Sequence, residues 1–243
     1  MMCKKVNHSL WKGEKTMNAD LNAKTDKKNV IVVKHPLCEH NLGVIRDKDI
    51  NSDGFKNSMK RLATILILEA TKNLPLKEYN IQTPIKECYV NKISDEFKII
   101  FAPILRAGLA ISDVASEIVP DASIQHVGMY RDETTLEPVW YYDKTPVKYG
   151  DPQHVKVFIL DPMLATGNSA HAAISLFLKK GILIENLVFV SILSAPEGIK
   201  LITNDFPDLK IVTAKIDERL NERGYIVPGL GDAGDRLFNT FEK

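Results

Sequence analysis

Apolar residues along this chain follow two alternating patterns, short continuous runs and stripes that repeat every three or four positions. The runs, rich in β-branched side chains, predict buried strands at Val30–Val33, Phe97–Leu105, Val155–Leu160, Asn186–Leu193 and Leu209–Ala214. Ser123 to Tyr130 alternates Ile124, Val127 and Met129 and predicts one more strand. The stripes predict helices. Phe55, Met59, Leu62, Ile65, Leu66 and Ala70 line one face from Gly54 to about Lys72, behind a cap at Asn51-Ser52-Asp53. Leu109 to Ile118 forms a second helix, and Ile174, Phe177 and Leu178 mark a third that ends at Lys179-Lys180-Gly181. A fourth spans Pro196 to Asn204, with proline in its first turn. Strand and helix alternate, the signature of an α/β domain with a mostly parallel, Rossmann-like sheet flanked by helices.

Four stretches break the rhythm. His35-Pro36 reads as extended chain, because proline disfavours helix in the residue before it. Leu74 to Lys92 carries Pro75 and Pro84 and shows one strand at about Glu87 to Val90. Asp132 to Tyr149, holding Trp140, Tyr141 and Tyr142, predicts a projecting hairpin arm or lid. Gly224, Gly229, Gly231 and Gly234 with Pro228 make the last segment too irregular for helix or strand, while Ile226, Val227 and Leu230 make it too apolar for a solvated loop. A hood of exposed backbone over an apolar floor fits that mixture.

Composition narrows the class. With 243 residues, 44% apolar and 26% charged, the chain has ordinary globular content. A net charge of +1 offers no basic field for nucleic acid, and no apolar run has membrane-spanning length. Three cysteines without metal-like spacing read as reduced thiols, which points to a cytoplasmic setting. Residues 1–29 are polar and lysine-rich and read as a flexible extension ahead of one domain, 30–243.

The candidate chemistry sits where strands meet helices. After the run Val155–Leu160 come Asp161-Pro162, the small residues Ala165-Thr166-Gly167-Asn168-Ser169, and then a helix. Strand, small-residue loop and helix N-terminus make an anion cradle, since backbone N–H groups and the helix dipole favour phosphate. The spacing is neither G-x-x-x-x-G-K-[ST] nor G-x-G-x-x-G. Asp161 at the strand end and hydroxyls at Thr166 and Ser169 suit a phosphorylated sugar, the carboxylate accepting from ribose hydroxyls. The plainer alternative is an ordinary βα turn capped by Ser169. Arg106, at the end of the run Phe97–Leu105, can face the same crevice, although an arginine at a strand end is more often a surface charge. Arg46, Lys60 and Arg61 read as solvated or interface charges.

The run ILDPMLATGNSA resembles the phosphoribosyl-diphosphate (PRPP) signature of uracil phosphoribosyltransferases, and GYIVPGLGDAGDRLFNT, Gly224 to Thr240, resembles that family's uracil signature. HPLCEHNLGVIRDKDI is similar to its N-terminal segment. The resemblance covers about Val33 to the C-terminus and implies the phosphoribosyltransferase fold. It implies PRPP contacts from Arg106, Arg131, Asp161, Pro162, Met163, Leu164, Ala165, Thr166, Gly167, Asn168, Ser169 and Asp232. Uracil would be met by Ile226, Gly231, Asp232 and Ala233, largely through backbone, and Arg106, Arg131, Asp161 and Asp232 would carry the catalysis. Asn168 departs from a second glycine usual at its position, and asparagine tolerates left-handed backbone better than most residues. A cis peptide is expected near Leu105-Arg106, as in relatives. The implied reaction is uracil plus PRPP giving UMP and pyrophosphate, with Mg2+ held mainly by PRPP and water and no direct protein ligand. A homodimer or homotetramer and a GTP effector are further implications. The rival readings are a uridine-nucleotide- and RNA-binding regulator on the same scaffold, a transferase for another base, and a pure assembly module. No residue stands out as a general base.

Overall fold

The computed structural model describes residues 28–131 and 138–240. The expected flexible extension, residues 1–29, falls outside them except for its last two residues, where Asn29 Nδ2 donates to Pro207 O at 2.8 Å. Strand β1 (Val30–Val32) leads into helix α1 (Pro36–Arg46). The extended chain expected at His35-Pro36 is confined to His35, whose Nδ1 caps the helix by accepting from Leu37 N at 3.1 Å. Pro36 takes the first helical position, where its missing N–H is not needed. Helix α2 (Ser52–Thr71) starts at the anticipated cap, Asn51 accepting from Gly54 N at 2.7 Å. Its stripe Phe55, Met59, Leu62, Leu66 and Ala70 is buried against Cys38, Leu42 and Ile45 of α1 and one face of the sheet.

Strands β2 (Leu76–Gln82) and β3 (Glu87–Ile93) form an antiparallel hairpin apart from the main sheet, where the sequence suggests a single strand. Next come β4 (Lys98–Leu105), α3 (Leu109–Ile118), β5 (Ser123–Ile124) and β6 (Val127–Arg131). The one strand expected at Ser123–Tyr130 is thus two, which pair with β4 at separate points. Strand β7 (Pro138–Asp143) returns antiparallel to β6 as the expected hairpin arm, and the connection 132–137 lies outside the described residues.

The chain continues through β8 (Val155–Leu160), β9 (Met163–Leu164), α4 (Asn168–Lys179), β10 (Leu187–Ser194), α5 (Pro196–Asp205) and β11 (Lys210–Ile216). It ends with β12 (Arg219–Leu220), β13 (Ile226–Val227) and a short helix α6 (Ala233–Phe238), which the sequence reading does not anticipate. Among the described residues the sheet runs β1-β11-β10-β8-β4-β6-β7, parallel apart from the pair β6–β7. All eight residues of β10 are buried, as befits a strand covered on both faces. Helices α1 to α3 cover one face, with Phe101, Phe158 and Val190. Helices α4 and α5 cover the other, with Ile100, Ile159 and Phe189.

From β4 the chain goes outward to β6 on one side, then returns to place β8 on β4's other side and moves on to β10 and β11. Strand order therefore reverses between β4 and β8, and in an open parallel sheet the crevice beyond the strand ends at such a reversal is where ligands bind. Arg46 does not behave as the solvated or interface charge expected of it. It makes a two-pronged pair with buried Asp217, Nη2 to Oδ1 at 2.6 Å and Nη1 to Oδ2 at 2.9 Å.

Candidate active site

At the end of β8, Asp161 N donates to Val190 O at 3.1 Å, and Asp161 Oδ1 accepts from Met163 N at 3.2 Å. This short turn passes the chain to β9, which pairs with the end of β10. Pro162 and Leu164 are buried, and their carbonyls accept from Ile192 and Leu193 and from Ala195, so both residues fasten the loop to β10 instead of facing the crevice. Gly167 then turns the chain with a left-handed φ of 93° into α4. The tolerance of Asn168 for left-handed backbone is not called on: it is the first helical residue, and Gly167 takes that conformation. Nor does Ser169 cap the helix. The N-cap is Gly167, with no side-chain cap bond, and the positive end of the helix dipole at this terminus favours an anion. The loop also needs Gly198 of α5, where a Cβ would stand 2.4 Å from Ala165 O.

Across the reversal, β4 ends at Leu105, and Leu105–Arg106 is a cis peptide, as anticipated. A Cβ on Gly108 would lie 2.4 Å from Leu160 O, so glycine lets this turn press against the end of β8. The Arg106 side chain leans toward α6, with Nη2 at 3.7 Å from Asp235 Oδ1 and the guanidinium 5.6 Å from the centre of the Phe238 ring. Arg131 ends β6, and its side chain lies outside the described residues.

The third wall is the glycine-rich segment. Strand β12 pairs with β13 through Arg219↔Val227 and Leu220↔Ile226, and left-handed Gly229 (φ 61°) and Gly231 (φ 81°) carry the chain over the crevice to Asp232. Asp232 caps α6, its Oδ1 accepting from Asp235 N at 2.9 Å. Ile226, Leu230 and Ala233 are buried beneath.

These walls enclose one cleft of about 680 Å³. Arg106, Asp161, Met163, Ala165, Ser169, Ile226, Gly231, Asp232 and Ala233 line it. So do Met129, Tyr130, Arg223 and Tyr225, which sequence reasoning passes over. Arg223 and Tyr225 directly flank Gly224, a proximity that offers a signal, whereas Met129 and Tyr130 lie on an ordinary strand pattern. Desolvation pushes the Asp161 carboxyl up to about 7 from an ordinary 3.8. The Met163 N–H opposes that rise, and the negative charge of Asp232 across the cleft adds to it.

A family model described as uracil phosphoribosyltransferase matches residues 32–240. The chain belongs to that family. A uracil phosphoribosyltransferase from Dictyoglomus thermophilum is 48% identical over 211 residues, covering 87% of this chain and 99% of the relative. One from Limosilactobacillus fermentum is 46% identical over 209 residues, 86% of this chain and 97% of the relative. Among solved structures, the AQ2163 protein from Aquifex aeolicus superposes with a TM-score of 0.80 at 38% identity, covering 88% of this chain and all of that one. An adenine phosphoribosyltransferase from Leishmania donovani, at 14% identity and a TM-score of 0.52, covers 88% of this chain and 97% of its own, and shares the fold. In a uracil phosphoribosyltransferase family member the strand-order reversal is thus built as the phosphoribosyltransferase form of the α/β sheet.

Proposed function

We propose that this protein transfers the phosphoribosyl group of PRPP to uracil, giving UMP and pyrophosphate. The observation that carries the reading is that the loop from Asp161 to Ser169 and the glycine hood, far apart in sequence, close over one cleft with Asp161 and Asp232 both lining it. The N-terminus of α4 receives the 5′-phosphate, and ionised Asp161 accepts from ribose hydroxyls. Arg106 and Arg131 neutralise the departing diphosphate, while backbone groups near Ile226, Gly231 and Ala233 read the uracil edges. Breaking the bond at ribose C1 builds positive charge on the sugar and negative charge on the leaving group, so the protein acts by alignment and electrostatics.

Mg2+ suits this arrangement as a companion of the substrate diphosphate. Among the described residues no three His, Cys, Asp or Glu side chains gather to hold a metal, yet two carboxylates share the cleft and would welcome a cation. Diphosphate oxygens and water would supply most ligands, with Asp232 reaching the ion through water, and the ion would offset diphosphate charge.

We read the protein as a cytoplasmic homo-oligomer. No described helix is long and apolar enough to cross a membrane. The hairpin β2–β3 stands off the main sheet with Leu76, Ile85, Tyr89 and Ile93 exposed, and a lone two-stranded hairpin is marginal in water. A GTP effector rests on family resemblance alone.

The test is pyrophosphate release from PRPP and Mg2+ with uracil, cytosine, adenine or hypoxanthine. Release with uracil and formation of UMP are expected. Release only with another base would make the protein a transferase for that base, and none with any base would favour the regulatory reading. A second measurement probes the loop. Gly198→Ala places a methyl against the Ala165 carbonyl and is expected to raise KM for PRPP by roughly tenfold or more, since a displacement of ~1 Å can cost ~100-fold. Unchanged PRPP kinetics would show that the loop tolerates the shift.

A further inference from the structure

The hood that would read the base has little structure of its own. Its ribbon contains two residue pairs, too few to hold backbone donors and acceptors still. What fixes it comes from elsewhere. The Asp217 carboxylate, 4% exposed, accepts from Arg46 through both oxygens and from Gly229 N at 3.0 Å. Arg46 Nη1 also donates to Gly229 O at 2.7 Å, so one ion pair grips both the N–H and the C=O of Gly229. Gly229 has no slack, because a Cβ there would fall 2.0 Å from Ile226 O. The next carbonyl, Leu230 O, accepts from Arg236 at 2.8 Å, and Arg236 also donates to Ile45 O and Asp47 O while lying 4.3 Å from the centre of the Phe55 ring. Gly229 and Leu230 lie in the connection between the two cleft-lining stretches, Arg223 to Ile226 and Gly231 to Gly234. Both are tied to the corner where α1 meets α2.

We infer that Arg46 and Asp217 are positioning residues for the nucleobase: they touch neither substrate nor reacting atoms, yet they set the height and tilt of the backbone that reads the pyrimidine. The inference rests on the uracil reading above. Its physical basis is pre-organisation, since affinity through backbone groups requires that those groups already be in place. Without Arg46 the buried Asp217 carboxylate is left uncompensated, so either the hood shifts or the carboxylate takes up a proton. The phosphate loop is fastened to β10 and α5 and meets this anchor indirectly, through Asp217 N donating to Ser194 O at 2.9 Å.

The test is steady-state kinetics with each substrate varied in turn, on the wild type, Arg46→Ala and Asp217→Asn. The asparagine variant keeps the side-chain shape and one accepting oxygen, and it serves where Arg46→Ala does not fold. The expected result is a rise in KM for uracil of roughly tenfold or more, with KM for PRPP within about twofold of wild type. Equal rises for both substrates, or no change for uracil in a folded variant, would overturn the inference. Loss of folding in both variants would assign the pair a structural role instead. A wild type that makes no UMP overturns the functional reading as well; an active wild type with an unmoved uracil KM in the variants overturns this inference alone.

Discussion

Replacing Arg106 with alanine is expected to lower kcat for UMP formation by about 10²–10³-fold while leaving the melting temperature almost unchanged. The size follows from the role. A positioned donor facing charge that develops in the transition state is worth about 2.7–4 kcal/mol when removed, because the site does not reorganise to replace it. Arg106 is the described cation that the turn after β4 delivers to the cleft, opposite the Asp161 loop. Its folded-state contacts are weak by comparison. The side chain is 55% exposed and stands 3.7 Å from Asp235, an ion pair of the kind worth about 0–1 kcal/mol. Activity and stability should therefore separate. Arg106→Lys should recover only part of the rate, since an ammonium lacks the planar fork that grips a diphosphate at two points. Single-turnover rates beside thermal melts make the check, and a near-wild-type rate for the alanine variant would place the diphosphate elsewhere.

The parts of this architecture that the sequence displays are those whose cause is local. Val155–Leu160 is apolar except for half-buried Lys156 because helices cover both faces of the sheet, and the small residues that follow are small because Gly167 must turn left-handed beside Gly198. A run of apolar residues and a cluster of small ones are visible without knowing the partner. The hairpin β2–β3 is the opposite case. Its strands are mostly exposed, so no buried face imposes an alternation that could be read. Helix α1 is legible but easily misread. Cys38, Leu42 and Ile45 have helical spacing and are buried, yet a proline suggests extended chain when it in fact occupies the first turn, as Pro36 does.

Arg46 and Asp217 mark the deeper limit. They stand 171 positions apart, and neither has a local pattern that sets it off from any exposed charge. Only the fold, by bringing the α1–α2 corner under the hood, gives the pair a meaning. The cleft itself shows the same division. Arg106, Asp161 and Asp232 are found through motifs that end strands or open helices, whereas Met129 and Tyr130 line it merely because β6 ends beside β4.

Asp161→Asn is expected to remove most PRPP use and yet to make the protein more stable, with a gain that grows with pH. In the folded chain Asp161 holds its proton up to about 7, chiefly through desolvation, against an ordinary 3.8. Between those values the folded state binds more protons than the unfolded chain, so the contribution of Asp161 is fully favourable below about pH 4 and is lost as pH rises through 7. The loss accumulates between those two values at ~1.4 kcal/mol per pH unit, as a carboxylate facing Asp232 must ionise, and levels off at about 4 kcal/mol above 7. Asparagine does not titrate and can still accept from Met163 N, so the variant should melt close to the wild type near pH 4 and several degrees above it at pH 8, at about 2–4 °C per kcal/mol. The catalytic loss has the opposite logic. Only the carboxylate accepts strongly from ribose hydroxyls, and each such bond to a charged group is worth about 1.5–3 kcal/mol, so kcat/KM for PRPP should fall roughly ten- to a hundredfold. The wild type should show the same dependence, its kcat/KM for PRPP declining as pH drops below about 7 and Asp161 takes up a proton. Melting curves and PRPP kinetics across pH 5–9 test both halves. An Asp161→Asn variant less stable than wild type at pH 8 would mean that the carboxylate is held by favourable contacts, and that Asp161 is a structural anchor of the loop instead of a group kept charged for the sugar.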